Sequence, residues 1–237
     1  MVDTQGKVAL VTGGARGIGA GIAARLARDG WRVVVADRDT GAAAPPDCRS
    51  VVCDVSDEAA VARLVQDVST TEQRLDALVC NAGFMIRKPI RELTLPEWSL
   101  VLGTNLTSTF LLARGFETLL RAAHGAIVTV ASTRARMSEP DTESYTASKG
   151  GLVALTHALA ISLGPQVRVN CISPGWILTK GPAPTPEEHA FHPAGRVGTA
   201  EDIAALAAFL VGPDSGFITG AEFVVDGGVT RKMIYPE

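Results

Sequence analysis

The chain has 237 residues, of which 46% are hydrophobic and 20% are charged. This composition is typical of a globular protein, and the length suits one α/β domain over residues 1–237. A net charge of −3 provides no strong positive field, so neither nucleic acid nor an acidic membrane is an expected partner. No apolar run approaches the ~20 residues needed to span a bilayer. The four scattered cysteines indicate free thiols in a reducing cytoplasm.

Short apolar runs rich in β-branched residues recur along the chain and alternate with segments of helical period. Several of the runs are continuously apolar, which indicates strands buried on both faces. Strands are predicted over residues 8–12, 32–36, 50–53, 77–80, 126–130, 167–172 and 222–225. Helices are predicted over residues 18–28, 58–72, 96–123, 144–163 and 200–210, the last with a capped, acidic start at residues 199–202. The alternation predicts an α/β fold with helices on both faces of a parallel sheet.

A glycine-rich turn, T-G-G-A-R-G-I-G, follows the first predicted strand at residues 12–19 and leads directly into a helix. Glycine allows a sharp turn and close approach of the backbone to a ligand, and a helix N-terminus offers N–H groups to a pyrophosphate. The spacing differs from the common G-x-G-x-x-G fingerprint, and many strand-to-helix turns need glycine. The position of the turn, between a strand and a helix, favours phosphate binding.

Asp37 ends the second predicted strand, 20 residues beyond Gly17. An acidic residue there accepts hydrogen bonds from the adenosine ribose of a dinucleotide and repels a 2′-phosphate, which favours NAD over NADP. Arg16 and Arg38 are the opposing signal, since either could reach a 2′-phosphate. The alternative to a binding role is that Asp37 is a structural residue of the turn after the strand, a position where aspartate is frequent.

Tyr145 and Lys149 lie four residues apart in the sequence S-Y-T-A-S-K. In a helix this spacing puts both side chains on one face. A cation beside a phenol lowers the phenol pKa, and such a tyrosine can act as a general acid or base. Taken alone, the pair is also compatible with an unremarkable surface helix.

Together these motifs resemble the short-chain dehydrogenase/reductase family, over essentially the whole chain. The glycine turn matches the family's T-G-x-x-x-G-x-G, and residues 145–149 match its Y-x-A-S-K. The remaining matches are N-A-G at residues 81–83, a serine at Ser132, 13 residues before Tyr145, and P-G-x-x-x-T at residues 174–179.

The resemblance implies a Rossmann-type, doubly wound fold with a seven-stranded parallel sheet, and it implies four catalytic roles. Tyr145 resembles the proton donor in carbonyl reduction and the acceptor in alcohol oxidation. Lys149 resembles the residue that holds the nicotinamide ribose and lowers the phenol pKa. Ser132 resembles the hydroxyl that orients the substrate oxygen, and Asn105 the residue that keeps a water in place for a proton relay.

The cofactor-binding residues implied by the resemblance run along the carboxyl ends of the strands. They are Gly13, Arg16, Gly17, Ile18, Gly19, Asp37, Arg38, Asp54, Val55, Asn81, Ala82, Gly83, Tyr145, Lys149, Pro174, Gly175, Ile177 and Thr179. The irregular segment 175–196 is expected to be a substrate loop. Phe84, Met85, Arg134, Met137 and Glu143 are expected on the substrate side, with solvated surface charges as the alternative for Arg134 and Glu143. Trp176 is expected to wall either the nicotinamide pocket or the substrate pocket. No metal site is expected, because no nearby carboxylate or cysteine is expected to complete a ligand set with His189 and His192.

The function expected is hydride transfer between NAD(H) and a secondary alcohol or ketone, such as a sugar, polyol or cyclic alcohol. One alternative is a 3-oxoacyl thioester reductase that uses NADPH and an acyl carrier protein, although Asp37 and the net charge of −3 argue mildly against it. Another is a catalytically silent NAD-binding scaffold. A homotetramer or homodimer is expected, with contacts through the helices at 96–123 and 144–163 and the tail at 231–237.

Overall fold

The computed structural model describes residues 6–39 and 44–233, and within them seven parallel strands form one sheet in the order β3-β2-β1-β4-β5-β6-β9. These strands are β1 (Val8–Thr12), β2 (Arg32–Asp37), β3 (Cys48–Val52), β4 (Ala77–Cys80), β5 (Ala126–Val130), β6 (Arg168–Pro174) and β9 (Glu222–Val225). A separate two-stranded ladder pairs β7 (Ile177–Leu178) with β8 (Gly198–Thr199).

Helices cover both faces of the sheet. They are α1 (Gly17–Arg28), α2 (Glu58–Thr71), α3 (Leu95–Leu102), α4 (Ser108–Ala122), α5 (Glu143–Leu163), α6 (Pro186–Phe191) and α7 (Ala200–Val211). α1 and α7 share one face, while α2, α4 and α5 contribute to the core on the other. Among the described residues, no helix combines the length and the apolar character needed to cross a membrane.

The continuous apolar strands are explained by two hydrophobic cores, one on each face. In β1, Leu10 is buried against the α2 and α4 side and its neighbour Val11 against the α1 and α7 side. Successive side chains of a strand point to opposite faces, so a strand between two helical layers must be apolar at every position. The predicted doubly wound, seven-stranded parallel sheet is confirmed.

The strand order reverses at β1. The chain runs outward from β1 to β2 and β3, then returns to the other side of β1 and continues through β4, β5, β6 and β9. In open α/β sheets, ligands bind beyond the carboxyl ends of the strands at such a switch point. The segments that follow β1 and β4 carry the glycine turn and the N-A-G sequence, and the fold therefore brings these two motifs together.

Two segments differ from the sequence prediction. The single helix predicted over 96–123 is two helices, α3 and α4, separated by a π-helical turn at Gly103–Thr107. The loop predicted over 175–196 contains β7 and α6. A capping box starts α6, with the Glu188 N–H donating to Thr185 Oγ1 and the Thr185 N–H donating to Glu188 Oε2. The sequence T-P-E-E at 185–188 carried this signal.

The predicted capping of α7 is confirmed, since Thr199 and Asp202 form a capping box. Part of the Ala- and Pro-containing segment 41–47 and part of the tail at 231–237 lie outside the described residues.

Candidate active site

A cavity of about 970 Å³ opens at the carboxyl ends of β1, β2, β4, β5 and β6. Except for Gly19 and Asn105, every residue predicted for catalysis or cofactor binding lines it. The structure therefore brings together residues that are up to 166 positions apart, from Gly13 to Thr179.

The glycine turn after β1 forms one end of the cavity. Gly13 has φ +62°, and a Cβ there would lie 2.9 Å from the Ala82 Cα, so the two turns are in close contact. A Cβ on Gly19 would lie 2.2 Å from the Gly13 carbonyl oxygen. Gly19 thus permits the first turn of α1 to pack under the loop, which explains its absence from the cavity wall.

The N-terminus of α1 faces this turn without a side-chain cap and with no acidic residue in its first turn. Its N–H groups and the positive end of the helix dipole suit an anion such as a pyrophosphate.

Thr12 and Asn81 fix the glycine turn against the end of β4. The Asn81 side-chain amide donates to the carbonyl oxygens of Thr12 and Gly13, at 3.0 Å each. The backbone N–H groups of Asn81 and Ala82 donate to Thr12 Oγ1, at 3.1 and 3.2 Å. The N-A-G sequence thus supports the shape of the glycine turn as well as lining the cavity.

Asp37 lies at the end of β2 beside the glycine turn. One carboxylate oxygen accepts from the Ala15 N–H at 3.2 Å, and the other accepts from the Asp39 N–H at 3.1 Å. These bonds orient the carboxylate at the cavity wall. A carboxylate oxygen has two lone pairs, so both oxygens keep capacity for a further donor such as a ribose hydroxyl.

The two arginines near Asp37 have their own partners. Arg16 pairs with Asp39 across 3.4 Å, and the Arg38 guanidinium lies 5.7 Å from the centre of the Phe84 ring. Hydrogen bonds from the hydroxyl and backbone N–H of Ser56 lower the pKa of Asp54, with a smaller contribution from Arg38. Both arginines line the cavity beside acidic side chains.

Ser132, Tyr145 and Lys149 line the same cavity near the end of β5. Lys149 and Tyr145 lie one turn apart on α5, and the Lys149 Nζ is 5.6 Å from the centre of the Tyr145 ring. Lys149 is 4% exposed, and its Nζ donates to the Val130 carbonyl oxygen at 2.7 Å. Ser132 is also buried, and its Oγ accepts from the Arg134 N–H at 3.2 Å. The predicted proximity of the Tyr145 and Lys149 side chains is confirmed.

The predicted direction of the Tyr145 pKa shift is wrong. Burial raises the pKa of the Tyr145 phenol, and the Ser132 side chain and the Arg134 charge lower it by less. Burial also lowers the pKa of Lys149 to about 8, because a desolvated ammonium is disfavoured. The charged side chain that lowers the pKa of the Tyr145 phenol is Arg134, which lies two residues after Ser132 in the sequence.

Asn105 lies in the π-helical turn and is 1% exposed. Its side chain accepts from the Phe84 N–H at 3.0 Å and donates to the Phe84 carbonyl oxygen at 2.9 Å and to Ser148 Oγ at 3.0 Å. A Cβ on Gly83 would meet both Asn105 Oδ1, at 3.1 Å, and Lys149 Nζ, at 3.4 Å. Asn105 thus joins the segment after β4 to α5 directly behind Lys149.

The substrate side of the cavity contains most of the residues expected there. Phe84, Met85, Arg134, Met137 and Trp176 line it. Glu143, at the start of α5, does not line it, whereas Glu139 does. Glu139 pairs with Arg134 at 2.7 Å and with Arg87.

Further lining residues were missed by sequence reasoning, among them Phe191, His192, Asp226, Val229 and Thr230. They come from α6 and from the turn after β9, which packs against it: a Cβ on Gly227 would lie 3.3 Å from the His192 Cβ. For Phe191 and His192, the sequence did contain a signal, because the capping box T-P-E-E at 185–188 marks the start of α6. No group of three or more His, Cys, Asp or Glu side chains that could hold a metal occurs within residues 6–39 and 44–233.

The fold and the cavity define a Rossmann-type protein with a glycine turn at one end of the cleft and Ser132, Tyr145 and Lys149 at the other. Residues 13–230 match a family model described as enoyl-(acyl carrier protein) reductase. The chain belongs to the short-chain dehydrogenase/reductase family, whose members are oxidoreductases that bind a nicotinamide cofactor.

Three similar proteins cover almost the entire chain. An uncharacterized oxidoreductase from Thermotoga maritima is 46% identical, over 98% of this chain and 99% of that protein. A D-threitol dehydrogenase from Mycolicibacterium smegmatis is 38% identical, over 96% of this chain and 94% of that protein. The crystal structure of a 3-ketoacyl-(acyl-carrier-protein) reductase from Brucella melitensis in complex with NADH has a TM-score of 0.88 and 32% identity, covering 96% of this chain and 100% of that one.

Proposed function

We propose that the protein transfers a hydride between NAD(H) and a secondary alcohol or ketone, with a polyol or sugar as the favoured substrate class. The observation that carries the proposal is the shared cavity, which has the glycine turn and Asp37 at one end and Ser132, Tyr145 and Lys149 at the other. The similarity to D-threitol dehydrogenase supports a polyol.

The residues of the cavity fit a dinucleotide. The close approach at Gly13, the open N-terminus of α1 and the oriented carboxylate of Asp37 match a pyrophosphate and a ribose. Bound NAD supplies hydride acceptance, and the protein supplies orientation and proton transfer.

In alcohol oxidation, the Tyr145 phenolate accepts the proton of the substrate hydroxyl while the Ser132 hydroxyl donates a hydrogen bond to the same oxygen. In ketone reduction, the Tyr145 O–H donates its proton to that oxygen. Two fixed donors stabilise the negative charge that develops on it. Ionisation of Tyr145 is opposed by burial, so a charged Lys149 beside the ring is needed to favour the phenolate.

The preference for NAD rests on Asp37. Its carboxylate is oriented towards the cavity by two backbone N–H groups, and a 2′-phosphate beside it would meet a like charge. Two cations, Arg16 and Arg38, could neutralise such a phosphate, but each has another partner. Arg16 pairs with Asp39, and the Arg38 guanidinium lies over the Phe84 ring.

A 3-oxoacyl thioester reductase is the second candidate, favoured by the family-model description and by the Brucella melitensis neighbour. A catalytically silent scaffold is not favoured, because Asn105, Ser132, Tyr145 and Lys149 are all present and the last three share one cavity.

The first experiment is a spectrophotometric screen of the purified protein. In the oxidation direction, NAD or NADP is combined with a panel of polyols, sugars and simple secondary alcohols. In the reduction direction, NADH or NADPH is combined with acetoacetyl thioesters. The proposal expects formation of NADH with at least one alcohol and slower formation of NADPH. Turnover restricted to the thioesters with NADPH would favour the second candidate, and equal turnover with NADP would contradict the role of Asp37.

We also propose that the protein is a cytoplasmic homo-oligomer. Phe110 on α4 is 46% exposed and Ile161 on α5 is 83% exposed, and such side chains on neighbouring long helices suit contact with a second copy. Sedimentation velocity at micromolar concentration should give a dimer or tetramer, and a monomer would refute the proposal.

A further inference from the structure

We infer that His192 is a specificity-determining residue that accepts a hydrogen bond from a second hydroxyl of the substrate, on the carbon next to the one that is oxidised. The inference rests on the proposed alcohol oxidation and specifies its substrate class as compounds with vicinal hydroxyls.

His192 caps the C-terminus of α6 and is 3% exposed, yet it lines the cavity. Its Nδ1 lies 2.9 Å from the Glu188 carbonyl oxygen. A carbonyl oxygen can only accept, so Nδ1 must carry a proton and donate it to this bond. In the neutral imidazole, Nε2 is then an acceptor with a free lone pair.

Within residues 6–39 and 44–233, the hydrogen bond of the His192 ring is the one between Nδ1 and the backbone carbonyl oxygen of Glu188. No group in these ranges donates to Nε2. The nearby Asp226 carboxylate is held by the N–H groups of Gly228, at 2.8 Å, and Thr230, at 2.7 Å. Because His192 lines the cavity, its Nε2 is an acceptor that a hydroxyl of a bound ligand can use.

The ring is held in one orientation. The Trp176 ring lies 6.0 Å away, tilted by 46°, and the Phe191 ring lies 5.8 Å away, edge-on at 86°. Trp176 directly follows Pro174 and Gly175, the turn expected to face the nicotinamide. His192 is therefore fixed beside Trp176, in the same cavity as Ser132 and Tyr145.

The chemistry at this position favours a neutral hydroxyl. The lone pair of Nε2 repels a carboxylate or phosphate, whereas a hydroxyl can donate to it. Two nearby cations already have partners: Arg134, which lines the cavity, pairs with Glu139 at 2.7 Å, and the Lys232 Nζ donates to the Phe191 carbonyl oxygen at 3.3 Å. Sites built to hydrogen-bond a substrate hydroxyl reject analogues that lack it, because the site's polar group is then left unpaired.

The test compares butane-2,3-diol with butan-2-ol, which differ by one hydroxyl. We expect the unaltered protein to prefer the diol at least tenfold in kcat/KM, and His192→Phe to remove that preference mainly through a higher KM for the diol, with butan-2-ol little affected. His192→Gln, which keeps a polar group near the Nε2 position, should restore part of the preference. His157→Phe, on the exposed side of α5, is the matched control and should leave the ratio unchanged.

An unchanged diol preference in His192→Phe, or an equal loss for both substrates, would overturn the inference. A binding measurement tests the inference separately from the proposed function. Calorimetry measures the Kd of butane-2,3-diol for two NAD-saturated proteins, the Tyr145→Phe variant and the double variant that also carries His192→Phe. A tenfold weaker Kd in the double variant supports the inference even if no alcohol is turned over, and equal Kd values refute it. The absence of turnover in the unaltered protein would refute the proposed function alone.

Discussion

Replacement of Lys149 by methionine should change how stability depends on pH. The Lys149 amine is 4% exposed, and burial lowers its pKa from 10.5 to about 8. Between those two values the unfolded chain binds a proton that the folded protein does not, so this residue makes the free energy of unfolding rise with pH. Below about pH 8 both states are protonated and the slope disappears.

The magnitude follows from the same values. At about 1.4 kcal/mol for each pKa unit, the buried ammonium destabilises the folded protein by roughly 3 kcal/mol at pH 7, and most of this is recovered by pH 10. In Lys149→Met that recovery is absent. The variant also leaves the Val130 carbonyl oxygen without its donor, at a cost of about 1–3 kcal/mol that is nearly independent of pH.

The assay is urea unfolding of both proteins, without cofactor, at pH 7, 8, 9 and 10. The quantity of interest is the free energy of unfolding of the unaltered protein minus that of Lys149→Met. Burial raises the pKa of Cys53 to about 11 and of Cys80 to about 12. At high pH these thiols lose protons more readily in the unfolded chain, which lowers the free energy of unfolding of both proteins. Their contribution therefore cancels in the difference.

The difference should shift in favour of the unaltered protein by about 2–3 kcal/mol from pH 7 to pH 10. A difference that is constant over this range would show that Lys149 titrates as an ordinary lysine and is not desolvated beside Tyr145. The proposed proton chemistry would then lose its electrostatic basis.

Three further substitutions test other parts of the site. Asp37→Asn removes the charge but can keep an acceptor for the Ala15 N–H, so the ratio of kcat/KM for NAD over NADP should fall at least tenfold; an unchanged ratio would contradict the repulsion argument. Asn105→Ala leaves two backbone groups of Phe84 unpaired and should lower the free energy of unfolding by about 2–5 kcal/mol in urea, whereas a loss below 1 kcal/mol would contradict its bridging role. Gly19→Ala places a Cβ 2.2 Å from the Gly13 carbonyl oxygen and should abolish NAD binding in calorimetry. The control is Gly150→Ala, whose Cβ meets nothing closer than 3.9 Å and which should bind NAD normally. Normal NAD binding by both variants would refute the packing argument.

The sequence predicted the sheet well because burial on both faces demands apolar residues at every strand position. The bounds of Val8–Thr12, Ala77–Cys80, Ala126–Val130 and Glu222–Val225 agree residue for residue with the apolar runs. The grouping of the predicted residues in one cavity followed because all of them except Asn105 belong to a motif at the carboxyl end of a strand or on α5, and the parallel topology collects those ends at one edge.

The rest depended on contacts between distant parts of the chain. The π-helical turn at Gly103–Thr107 is flanked directly by helix on both sides, so hydrophobic periodicity alone predicted one continuous helix. The place of His192 is set by packing against the turn after β9, about 35 residues away along the chain, and local pattern cannot report such a contact. The direction of the Tyr145 pKa was wrong because proximity to a cation is visible in the sequence, whereas the depth of burial is not.

The central claim is that the Tyr145 phenol exchanges a proton with the substrate oxygen while hydride moves to or from NAD(H). The most direct measurement is single-turnover formation of NADH by Tyr145→Phe and the unaltered protein, with the best alcohol of the screen and with NAD affinity determined for both by calorimetry. We predict that the variant binds NAD with a Kd within about threefold of the unaltered protein and forms NADH at least a hundredfold more slowly, in line with the usual contribution of a general acid–base group. NADH formation at an unchanged rate would show that another group carries the proton.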